Sequence, residues 1–75
     1  MKKVMTIHNM NCGHCKAKVE NALNDIPGVI AKVDLGKKEA MVTLSADVSD
    51  ELLMKTVRDI GYDPISIREK KGLFG

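Results

Sequence analysis

Six short stretches of alternating or helical hydrophobic periodicity, set close together in 75 residues, leave few folds open to this chain. Met5 and Ile7 fall on one side of residues 3–7 and Val4 and Thr6 on the other, the period of a short strand. Asn9 to Gly13 is a polar interruption and reads as a loop. Cys15, Val19, Ala22, Leu23 and Ile26 then recur at spacings of three and four, one stripe of a helix. Lys16, Lys18, Glu20, Asn21 and Asn24 take its other face. Pro27-Gly28 ends it, because proline cannot continue a helix and glycine turns the chain.

Strand periodicity returns after that turn. Val29, Ala31, Val33 and Leu35 share a face, Gly36-Lys37-Lys38 is a turn signal, and Ala40, Val42 and Leu44 alternate with Met41 and Thr43. Ser49 is a good N-cap, and Asp50 and Glu51 suit the positive end of a helix dipole. Val48 can touch Leu53 as a hydrophobic staple, Val57 and Ile60 continue the buried stripe, and Gly61 stops the helix. Ile65 and Ile67 alternate with Ser66 in a last strand. The order β-α-β-β-α-β predicts an α+β, ferredoxin-like sandwich: a four-stranded antiparallel sheet with two helices on one face. The expected domain is 1–68, with a flexible tail over 69–75.

A chain of this length has room for one domain and a thin margin of stability. Tyr62 and Phe74 are its only aromatics, so the core must be aliphatic. The same scarcity argues against RNA binding. RNA-recognition modules of this strand order stack bases on sheet aromatics, and the strand from Ala40 to Leu44 has none. The net charge of +2, from 12 basic and 10 acidic residues, is too mild to point to nucleic acid. Met1-Lys2-Lys3 is followed by no apolar run of signal-peptide or membrane-spanning length. One close pair of cysteines, rather than several spread as staples, suits a reducing compartment. The expectation is a free-standing cytoplasmic protein without membrane insertion and without enzymatic activity.

Met10-Asn11-Cys12-Gly13-His14-Cys15 sits where a strand hands over to a helix, with Cys12 in the loop and Cys15 in the first helical turn. Side chains three apart on a helix lie roughly 5–6 Å apart at Cβ, so both sulfurs can reach one ion. The helix N-terminus favours thiolate, the form that binds metal, and Lys16 and Lys18 add positive charge nearby. Two soft sulfurs suit copper(I), whereas zinc normally takes four ligands, or three plus water. Met10 reads as a core residue. His14 reads as a solvated side chain at a helix start, with a part-time third ligand, or a group beside the ligands that tunes the metal and partner docking, as the alternative. Met5 and Met54 are assigned to the core and Met41 to the open face of the sheet.

The chain resembles the heavy-metal-associated domain family over roughly Lys3 to Ile67. The likeness rests on Met10, Cys12, Cys15, Val19, Pro27-Gly28-Val29 and Gly61-Tyr62-Asp63. Within that family it is most similar to bacterial copper chaperones. The resemblance implies copper(I) held by Cys12 and Cys15, Met10 packed beneath the loop without ligating, and Tyr62 near the metal. It also implies delivery by ligand exchange to the metal-binding domain of a copper-transporting P-type ATPase or to a copper-responsive repressor. The apo protein is expected to be a monomer, and a copper-bridged pair of copies through four cysteines stays open. Two positions depart from the family pattern. Asn9 stands where glycine is usual, and asparagine tolerates left-handed backbone angles better than most residues. Asn11 stands where threonine or serine is common and where zinc and cadmium relatives often carry aspartate. The alternatives are a soluble domain for another soft ion (mercury, cadmium or zinc) and a thiol oxidoreductase. The latter also places C-x-x-C at a helix start but needs a longer chain.

Overall fold

The computed structural model describes residues 2–10 and 13–69. Its elements are β1 (Lys2–His8), α1 (Gly13–Asn24), β2 (Val29–Asp34), β3 (Glu39–Leu44), α2 (Asp50–Asp59) and β4 (Asp63–Glu69). The strands form one antiparallel sheet in the order β2-β3-β1-β4. Helix α1 packs on β2, α2 packs on β4, and the helices touch each other, so both cover one face. This is the ferredoxin-like arrangement that the succession of periods predicts.

Burial follows the expected alternation in β2 and β3. Val29, Ala31, Val33, Ala40, Val42 and Leu44 point into the core, where they meet Met5 and Ile7 of β1. Val19 and Leu23 of α1 and Leu53 and Val57 of α2 close it from above, all four fully buried. Among the described residues no aromatic belongs to this buried cluster; Tyr62 packs against it, partly buried. Met5 lies in the core, Met54 packs against it, and Met41 stands on the open face beside Val4.

The last strand departs from the simple alternation. Thr6 pairs with Ser66 but Ile7 pairs with Pro64, so Ile65 is the extra residue of a β-bulge. The bulge turns Pro64 into the buried position and leaves Ile65 52% exposed, so the simple alternation of Ile65 and Ile67 with Ser66 is interrupted. The strand also reaches Glu69, which pairs with Lys3, so the ladder continues one residue into the stretch expected to be tail. Residues 70–75 of that expected tail lie outside the described residues.

The ends of α2 are built as the sequence suggests. Ser49 caps it, its hydroxyl accepting from the Leu52 amide at 3.2 Å, and Asp50 and Glu51 occupy the first turn. Lys3 forms an ion pair with Asp50, tying that end of the helix to β1.

Ile26 to Val29 make a type II turn that joins α1 to β2. The Val29 amide donates to the Ile26 carbonyl at 3.1 Å, with Pro27 and then Gly28 (φ +84°) at the centre. A Cβ on Gly28 would lie 2.7 Å from the Ala46 Cβ and 3.3 Å from its nitrogen. Gly28→Ala is therefore expected to cost about 2–4 kcal/mol, from the left-handed backbone and the overpacking together. A urea unfolding midpoint measures this. A loss below about 0.5 kcal/mol, the range of a featureless surface substitution, would show the turn to be adaptable.

Candidate metal centre

Strand β1 delivers the chain to one end of the sheet, where α1 begins, the β2–β3 turn closes and the loop before β4 passes. The Ile7 amide donates to the Lys38 carbonyl at 2.9 Å, and His8 pairs with Asp63, which brings the three segments to the same end. Asn9 follows with φ +67°, the left-handed conformation that its short amide side chain tolerates. That turn sends Met10 inward. Met10 is fully buried within the core cluster, the packing role expected of it.

Helix α1 starts at Gly13, so Cys15 stands in its first turn. The side chain of Cys15 is half-buried and packs against the core cluster. No acidic residue of α1 occupies that first turn. Lys16 and Lys18 follow, both exposed. A helix N-terminus is in general a setting that favours thiolate, the form of sulfur that binds metal. His14 is exposed and stands apart from the packed residues. Cys12, the expected second sulfur, lies outside the described residues, as does Asn11.

Tyr62 arrives from the other side of the molecule through the end of α2. Gly61 has φ +96°, its amide donates to the Arg58 carbonyl at 3.0 Å, and the Tyr62 amide donates to the Val57 carbonyl at 3.3 Å. This is the Schellman pattern, which reverses the chain at a left-handed glycine and sets the next residue back over the helix. Tyr62 is held half-buried against the core cluster that contains Met10 and that Cys15 also touches. Three of the expected site residues therefore share one packed support.

Two hydrogen-bonding residues of α1 were not legible from spacing. Glu20 and Asn24, assigned to the outer face of α1, reach back to the backbone of β2. Helical periodicity reports distance from the apolar stripe and carries no information about a neighbouring strand edge. The only available signal was that both are hydrogen-bonding types one helical turn apart.

The match to known proteins covers most of the chain. Residues 4–63 match the heavy-metal-associated domain family. The copper chaperone CopZ of Staphylococcus aureus is 33% identical over 67 residues, spanning 85% of this chain and 97% of that relative. A solved CopZ metallochaperone superposes with a TM-score of 0.82 at 34% identity, covering 87% of this chain and 100% of the other. The crystal structure of a copper-binding domain from a P-type ATPase gives a TM-score of 0.82 at 29% identity, covering 95% and 99%. By sequence and by fold, this chain belongs to the heavy-metal-associated domain family.

Proposed function

We propose that this protein is a copper(I) carrier that holds one ion between the thiolates of Cys12 and Cys15 and passes it on by ligand exchange. The observation that carries the reading is the placement of Cys15, half-buried in the first turn of α1, a turn that holds no acidic residue. Its similarity to copper chaperones supports the choice of ion. A site of two soft sulfurs is coordinatively unsaturated by the standards of zinc and leaves room for an incoming thiolate. Transfer then runs through shared intermediates. One acceptor sulfur joins the two donors, one donor sulfur leaves, and the second pair completes the exchange without releasing the ion.

In this reading Met10 supports the loop from the core and does not ligate. Tyr62 screens the ion from one side, and His14 stays in solvent. The recipient is the metal-binding domain of a copper-transporting P-type ATPase or a copper-responsive regulator, and the chain does no catalysis of its own. The similarity to an ATPase copper-binding domain suits such a recipient, since donor and acceptor would then share a loop and exchange ions on nearly equal terms. Among the described residues no helix is long and apolar enough to cross a membrane. The working place proposed is the cytoplasm, with the domain spanning 1–68 and the apo chain a monomer.

The test is an anaerobic titration with copper(I) against a chromophoric chelator, followed by mixing the loaded chain with an apo acceptor domain. One tightly held ion per chain and rapid equilibration with the acceptor are expected. Tight retention of mercury(II), cadmium or zinc with weak copper(I) binding would overturn the assignment in favour of another soft ion. Turnover of a disulfide substrate would overturn it in favour of an oxidoreductase.

A further inference from the structure

Strand β2 is an edge of the sheet, and two side chains of α1 stand in for the strand it lacks. The Glu20 carboxylate accepts from the Val33 amide at 2.8 Å, and Asn24 Oδ1 accepts from the Ala31 amide at 2.7 Å. Asn24 also donates from Nδ2 to the Ala31 carbonyl at 3.4 Å, so its amide mimics a paired backbone unit.

The two bonds close together because two periods coincide. Four residues along a helix advance about 6 Å. Two residues along a strand advance about 6.6 Å. The earlier helix residue meets the later strand residue, as required for α1 running antiparallel to β2. Sliding α1 by one turn, about 5.4 Å, breaks all three contacts. The apolar stripe cannot enforce this setting by itself. Val19 and Leu23 are both fully buried, but they repeat with the helix, and hydrophobic burial is not directional.

Cys15 rides on the same helix, one to three turns before these anchors. We infer that Glu20 and Asn24 are positioning residues for the metal site: by bonding the backbone of β2 they fix the axial setting of α1, and with it the place of Cys15 relative to the loop after β1. The inference deepens the carrier reading above and rests on it.

The test uses the double variant Glu20→Ala/Asn24→Ala and the conservative variant Glu20→Gln, which keeps an acceptor oxygen and removes the charge. Two readouts are compared with the parent: copper(I) affinity by chelator competition, and the alkylation rate of Cys15 in metal-free protein carrying Cys12→Ser. The double variant is expected to unfold cooperatively, to lose about tenfold or more in copper(I) affinity, the range for groups that orient metal ligands, and to alkylate at a changed rate. Glu20→Gln is expected to stay near the parent in both. A folded double variant with parental affinity and alkylation rate overturns the inference. So does Glu20→Gln behaving like the double variant, since charge and not position would then be the cause. If the double variant does not fold, Glu20→Ala and Asn24→Ala are judged singly by the same two criteria, each keeping the other anchor. A parent that fails to hold copper(I) overturns the carrier reading, while the alkylation comparison still decides the positioning role.

Discussion

Replacing Cys15 with serine is expected to abolish tight copper(I) binding and leave the fold in place. A serine hydroxyl is a hard, neutral oxygen with little affinity for a soft cation, so the variant retains one thiolate of two. Removing a group that merely orients a metal ligand costs roughly 10–100-fold in affinity, and losing a ligand itself must exceed that. Cys15 is half-buried at the rim of the core, so a near-isosteric change there disturbs little packing. Cys12→Ser is expected to lose binding in the same way. Chelator competition measures the loss, and circular dichroism confirms that the variants fold. Retention of parental affinity by either variant would exclude a two-thiolate site.

Met10 carries the second large effect, of a different kind. Its side chain is fully buried in the core cluster, so Met10→Ala is expected to cost about 2–5 kcal/mol from lost burial and the cavity left behind. For a domain whose core rarely supplies more than about 3–5 kcal/mol, that is most of its stability. Met10→Leu conserves volume and is expected to cost less than about 1.5 kcal/mol while keeping copper(I) affinity. The leucine variant separates packing from ligation. If it unfolds at the parental urea midpoint yet releases copper(I), then the thioether is a ligand.

The architecture was legible because each element carries its own period. Strands β2 and β3 alternate without exception from Val29 to Asp34 and from Ala40 to Leu44. The cap at Ser49 and the stop at Gly61 stand where their chemistry requires. Asn9 was legible too, because few residues besides glycine accept a φ of +67°. Period-two reasoning failed at Ile65, since an inserted residue is invisible until two strands are placed side by side. It also missed that Lys38, and not Gly36, takes the left-handed position in the β2–β3 turn, with φ +54°. There the Asp34 carboxylate accepts from the Lys37 amide at 3.2 Å and the Leu35 carbonyl from Lys38 at 3.3 Å. Those bonds fix the turn through neighbours that composition does not rank. For the site, the helical position of Cys15 followed from spacing and the core place of Met10 from its residue type and the family resemblance, whereas the anchoring of α1 depended on which strand lies beside it.

The two margins of the sheet have a bearing on how concentrated such a molecule can become. On one side Glu20 bonds the Val33 amide and Asn24 the amide and carbonyl of Ala31. On the other, the kink at Ile65 interrupts a strand that also bears Asp63, Arg68 and Glu69. Neither margin offers the long, flat, uncharged template on which chains zip into fibrils. Copies of such a chain can therefore crowd together without their sheets joining.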